Sequence, residues 1–175
     1  DTITGSSETT GTDESTSTTE STTTYTYDDD GKLEGASGAS TIEGDRGTDG
    51  GDESVGTYTA TSTDTYVIKN GQALRSSTDS VTKSYSGADT TTVTSTQTDK
   101  LVVEYELLGG SWVASTETTT SNNVATSGGI TTTIDTIKTK TYERDDSGAV
   151  TDITQTMTGT LKESGSRNST YNLEN

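Results

Sequence analysis

Residues 57–66 read Thr57-Tyr58-Thr59-Ala60-Thr61-Ser62-Thr63-Asp64-Thr65-Tyr66, with threonine at every second position. A β-strand sends successive side chains to opposite faces. A strict period of two therefore gathers Thr57, Thr59, Thr61, Thr63 and Thr65 on one face and Tyr58, Ala60 and Tyr66 on the other. The alternation returns at Thr90, Thr92, Thr94, Thr96 and Thr98, and again at Thr154, Thr156, Thr158 and Thr160. It also runs through Thr16, Thr18, Thr22, Thr24 and Thr26, broken once by Glu20. Threonine, valine, isoleucine and tyrosine favour a pleated, half-buried surface. Apolar residues rarely recur at the three-and-four spacing of a helix, so the chain reads as all-β.

Outward from this stretch lies an internal repeat. Four times a threonine-rich run ends in a tyrosine, passes a glycine-containing turn and continues into a second β-branched run. Tyr27, Tyr66 and Tyr105 stand 39 positions apart, and Tyr142 follows 37 after Tyr105. The turn glycines are Gly31, Gly71, Gly110 and Gly148. Asn70-Gly71 is the preferred pair for a tight hairpin, because both central residues take positive φ. Asp30-Gly31 and Ser147-Gly148 carry related turn chemistry. Further breaks fall at Gly44 to Gly56, Ser86 to Asp89 and Ser121 to Gly129. The expected architecture is an antiparallel meander of about four long hairpins, hence about eight strands, as an open sheet, a barrel or a fibre-forming layer. Residues 1–20 are low-complexity Ser/Thr/Glu/Gly and read as a tether or a donor strand, leaving residues 21–175 for the hairpins.

Composition narrows the function. Only 23% of the 175 residues are hydrophobic, the formal net charge is -17, and Phe, Cys, His and Pro are absent. Such a balance is usual for disordered chains. Here the lack of proline and the period-two runs of strand formers point to order instead, in a thin structure held by backbone ladders and cross-strand pairs. The 11 Lys and Arg form no basic stripe, which disfavours nucleic acid. No apolar run of about 18 residues is long enough for a transmembrane helix. Without histidine or cysteine the commonest general base and the thiol nucleophile are missing, so the chain is not expected to be an enzyme. The Thr/Ser/Asp-rich composition fits an extracellular or cell-surface protein.

The two faces define the candidate sites. Opposite the threonines, Tyr25, Tyr27, Tyr58, Tyr66, Val103, Tyr105, Ile134 and Tyr142 form an expected self-association face, which has to pack on a second layer or on another subunit. Oxygen-rich turns offer calcium ligands, with Asp45, Asp49 and Asp52 as the candidate set, although their spacing matches neither the EF-hand loop nor a glycine-rich nonapeptide repeat. No other cofactor is expected. The threonine arrays admit strand propensity alone, O-glycosylation, or ice binding by regular rows of methyls and hydroxyls, as in the insect-type antifreeze strands they resemble. The tyrosines and Trp112 could instead form a glycan-binding platform.

The first turn, Tyr25-Thr26-Tyr27-Asp28-Asp29-Asp30-Gly31-Lys32-Leu33, resembles the YD repeat of RHS-type bacterial surface and toxin proteins. Tyr142 to Val150 keeps the pattern loosely, with Asp145 and Gly148. The resemblance implies extracellular β-hairpins that form shells or stalks, and it implies no toxin activity. The expected function is therefore non-catalytic: a surface stalk, filament subunit or adhesin segment assembling through strand edges.

Overall fold

The computed structural model describes residues 1–11, 15–46, 56–86, 92–145, 147–165 and 169–174. Ten strands follow one another: β1 (Thr2–Thr10), β2 (Thr16–Tyr27), β3 (Leu33–Asp45), β4 (Thr57–Lys69), β5 (Gln72–Tyr85), β6 (Val93–Leu108), β7 (Ser111–Ser127), β8 (Ile130–Arg144), β9 (Val150–Ser164) and β10 (Ser169–Glu174). They form one antiparallel sheet in chain order, an open meander with β1 and β10 at its edges. The strand count exceeds the expected eight for two reasons. Thr2–Thr10, inside the segment read as a tether or donor strand, pairs with β2 from Thr2↔Thr24 to Thr10↔Thr16. Ser169–Glu174 pairs with β9 at the other edge.

The turns follow from their residues. Asn70-Gly71, Gly109-Gly110 and Gly128-Gly129 each link a directly paired couple, Lys69↔Gln72, Leu108↔Ser111 and Ser127↔Ile130. All six turn residues have positive φ, Asn70 at 50° and Gly71 at 77°, the geometry whose twist matches the flanking strands. The break expected over Ser121 to Gly129 shrinks to Gly128-Gly129, since Ser121–Ser127 continues β7. The first and last hairpins close differently. The Asp28 carboxylate accepts the N–H of Asp30 at 3.1 Å and of Lys32 at 2.7 Å. Asp145 accepts those of Ser147 at 2.9 Å and Ala149 at 3.0 Å in the same pattern. Each aspartate mimics a backbone turn with its own side chain.

The tips of the hairpins β2–β3, β4–β5, β6–β7 and β8–β9 each carry one extra residue. Pairing slips between Thr26 and Tyr27, Thr65 and Tyr66, Glu104 and Tyr105, and Glu143 and Arg144, leaving Glu34, Ser76, Ser115 and Thr151 unpaired on the return strands. The positions just past the slip are Tyr27, Tyr66, Tyr105 and Arg144. The period is therefore a constant 39, and Arg144 rather than Tyr142 is the fourth anchor. Ser76 and Ser115 donate their hydroxyls across the slip to the carbonyls of Thr65 at 3.1 Å and Glu104 at 3.3 Å.

A bulge bends the strand and raises local twist, and the ladders between hairpins stop beside it. They end at Ser37↔Thr65, Ser77↔Val102 and Thr116↔Thr141. Beyond these pairs the tips are joined by side chains. The Tyr105 hydroxyl donates to the Arg75 carbonyl at 2.8 Å, and Arg144 Nη2 donates to the Ala114 carbonyl at 3.1 Å. These two latches are one repeat apart at both ends. Lys69 Nζ sits 4.9 Å from the Trp112 ring centroid, joining the second and third tips by a cation–π contact.

No hydrophobic side chain among the described residues is buried. A single layer cannot enclose a core. Its stability rests on the ladders, the latches and cross-strand pairs worth about 0.2–1 kcal/mol each.

Candidate interaction surfaces

Directly paired residues share a face, so the register fixes both surfaces. The rows Thr2–Thr24–Ser37–Thr65–Ser77 and Thr4–Thr22–Ala39–Thr63 cross the sheet on one side. Thr57, Thr59 and Thr61 continue that face, as do Thr96, Thr98 and Thr154 to Thr160. Thr94 is drawn out of its array. It is the unpaired residue of a slip in β6 and donates its hydroxyl to the Ser84 carbonyl at 3.1 Å. Thr92 precedes β6, and Thr90 lies outside the described residues. The threonine face is the open one: Thr61, Thr63 and Thr65 are exposed, while Ser62, Asp64 and Tyr66 between them are half-covered.

The opposite face collects all eight expected self-association residues. Tyr58, Tyr66, Val103 and Tyr105 lie there through the β4–β5–β6–β7 pairings. Tyr25 and Tyr27 join them through β3, and Ile134 and Tyr142 through β8. Ile42, Leu101, Met157 and Leu161 share the face. Tyr58 covers Gly44 so closely that a Cβ there would meet its ring. Val81 falls the other way, between Thr61 and Thr98.

Through the middle of the apolar face runs a row that the sequence pattern did not reveal. Ser21, Ser40, Ser62 and Ser80 are consecutive cross-strand partners, with Ser40 and Ser62 hydroxyls 2.9 Å apart. Their sequence spacings are unequal, so only the register brings them into line.

Charge separates the faces as sharply as hydrophobicity does. On the apolar face the acids Asp64, Asp99, Glu117 and Glu163 are offset by Arg46, Arg75, Lys138, Lys140 and Arg144. Acids dominate the threonine face, with Glu8, Glu20, Glu43, Asp79, Glu104 and Glu106 facing few bases such as Lys83 and Lys100.

Titration follows local contacts. Burial, with the nearby Glu117 charge in the same sense, raises Tyr105 above its ordinary 10.0, against the pull of Arg75. Tyr142 is raised by burial and by a hydrogen bond with Glu117. Asp145 is lowered chiefly by the Ser147 hydroxyl and by the Ala149 N–H.

Of the candidate calcium set, Asp45 lies on the threonine face opposite Thr57, and Asp49 and Asp52 lie outside the described residues. Among the described residues no three acidic groups converge as a metal site would need. A shallow groove of about 410 Å³ opens beside Asn122, Asp135, Ile137 and Asn172. Its acid is already engaged, with Asn122 Nδ2 donating to Asp135 at 2.6 Å. Among the described residues no helix is long and apolar enough to cross a membrane. No protein family, curated protein or solved structure matches the chain.

Proposed function

We propose that the protein is a non-catalytic, extracellular structural element, a surface stalk or filament subunit that assembles with copies of itself. One observation carries the reading: an aromatic and aliphatic face, half-covered and with its acids offset by bases, has no second layer among the described residues. Exposed apolar surface of this extent marks an interaction site. The acidic threonine face repels its like and stays in water. The Asp-Gly turns that resemble surface-protein repeats support the extracellular setting. Sedimentation and electron microscopy at increasing concentration test the proposal. Ordered oligomers are expected, and Ile134→Lys with Val103→Lys is expected to return them to monomer with the strand spectrum intact. A wild-type chain that stays monomeric at millimolar concentration would refute it.

A second reading, ice binding, is favoured by the rows of threonine aligned across β1, β2 and β4 on the exposed face. Glu20, Glu43, Asp79 and Lys100 interrupt those rows. Thermal hysteresis decides it: unaltered ice growth at millimolar protein removes the reading.

A further inference from the structure

We infer that the two edges of the sheet are complementary, so that β1 of a second copy adds antiparallel to β10. The inference rests on the self-association reading and names the surfaces that carry it.

The backbone phase of the two edges is compatible. Asp1 and Tyr25 exchange hydrogen bonds at 2.8 and 2.7 Å, and Gly11 donates to Ser15 at 2.7 Å. Odd residues of β1 thus bond inward to β2. Thr2, Thr4, Ser6, Glu8 and Thr10 turn their N–H and C=O groups outward. At the other edge, Asp145 donates to the Ala149 carbonyl at 3.0 Å. Odd residues of β8 therefore bond to even residues of β9, across pairs such as Asp135↔Thr160. The odd residues of β9 are left for β10, where they meet Ser169 and Tyr171. Thr170 and Asn172 are the outward positions. On both edges the outward residues carry their side chains on the threonine face, so joining the edges keeps both faces level.

Direction and side chains agree with this. An even number of alternating strands leaves β1 and β10 running oppositely. Simple translation of one copy along the sheet therefore sets β1 antiparallel to β10, an open, repeating contact. Neither edge contains Lys, Arg or Pro, and the ladders of β1 and β10 run without a slip, so the usual defences against edge pairing are missing. Among the described side chains, Ile3 at 61% and Tyr171 at 57% are the most exposed large hydrophobic ones. One sits on each edge, and both lie on the apolar face. The register that sets Tyr171 opposite Ile3 pairs Thr170 with Thr4 and Asn172 with Thr2. Ile3 and Tyr171 then form a pair without mutual hydrogen bonds, the kind whose side chains approach closest.

The chain has no cysteine, which makes disulfide trapping clean. Thr4→Cys and Thr170→Cys proteins are prepared separately, mixed under associating conditions and oxidised. The expected product is the mixed dimer, with neither variant dimerising alone. Paired residues lie within disulfide reach. Ile3→Lys or Tyr171→Lys is expected to lower the mixed yield by about tenfold, as loss of one buried apolar contact implies. Preferred Thr4→Cys homodimers would overturn the inference in favour of a two-fold β1–β1 contact. Oligomers by sedimentation with no mixed disulfide overturn the inference and leave the parent reading standing. A monomeric wild type overturns both.

Discussion

At the scale of the residue, two latches one repeat apart make the clearest tests. Tyr105→Phe removes the donor to the Arg75 carbonyl, and Arg144→Met removes the donor to the Ala114 carbonyl. Each is expected to cost about 0.5–1.5 kcal/mol, at the low end because the sites are open to water. Their effects on a denaturation midpoint should couple, since Tyr105 is the direct cross-strand partner of Ala114, whose carbonyl accepts the Arg144 latch. Glycines separate by what their missing Cβ would meet. At Gly159 it would strike the Asp135 carbonyl oxygen, part of the ladder itself. Gly159→Ala is expected to destabilise by about 1–3 kcal/mol. Gly5→Ala, which meets only the Ser21 hydroxyl at 3.1 Å, should stay within about 0.5 kcal/mol of wild type. Thermal melts of the two variants check the contrast.

Titration belongs to the same scale, and its two signs differ. Tyr105 and Tyr142 have folded values above 10.0. Their contribution is complete below the ordinary tyrosine range and is lost as pH rises through the folded values. Asp145 is depressed, so its contribution holds above the ordinary carboxylate range and is lost as pH falls through its lowered value. A melting-temperature profile should therefore sag at both ends. Tyr105→Phe should flatten the alkaline limb, and Asp145→Asn the acid limb.

At the scale of the element, the bulge is the device that separates tip from sheet. Deleting Ser76 would let Gln72–Arg75 pair with β4 without a slip, removing the local twist. The Tyr105 latch and the Lys69–Trp112 contact should both be lost. Trp112 fluorescence, the only tryptophan signal in the chain, should shift to the red while the far-UV strand signal persists. An unchanged spectrum would show that the tips are held by other contacts.

The bulges also explain what could be read from the chain in advance. Period-two threonine runs and Asn70-Gly71 gave faces and a turn, because alternation and positive φ are local properties. Glu34, Ser76, Ser115 and Thr151 suit regular strand positions as well as bulges, so the slips left no mark in the pattern. The fourth anchor was misplaced on Tyr142 for a related reason. Arg144 performs there through a guanidinium what Tyr105 performs through a phenol, an equivalence that residue type does not mark. TITGSSETT has the composition of a linker, so its sequence admits tether and strand alike, and the register with β2 shows the strand.

At the scale of the whole molecule, the sheet joins two unlike surfaces with nothing between them. Tyr25, Tyr27, Tyr58, Tyr66, Val103, Tyr105, Ile134 and Tyr142 share one face of the sheet, because register aligns their strands. The serine row and the charge balance of that face were invisible without the register. Substitutions that leave hairpins intact should still alter assembly. Tyr58→Arg and Leu101→Arg are expected to shift sedimentation toward monomer with less loss of melting temperature than Gly159→Ala. Equivalent changes at Thr61 and Thr63, on the exposed acidic face, should leave sedimentation unaltered.

A meander in which each strand is held by the strands beside it has a mechanical consequence. Pulled by its two ends, such a sheet is loaded at β1 and β10 first. Hydrogen bonds then break one after another in peeling, rather than together in shear. Resistance should be low and nearly constant, and extension should proceed strand by strand. The 39-residue units should refold independently as tension falls. The sheet would thus behave as a compliant, reversible spring across its width, and as a stiff plate along the strands.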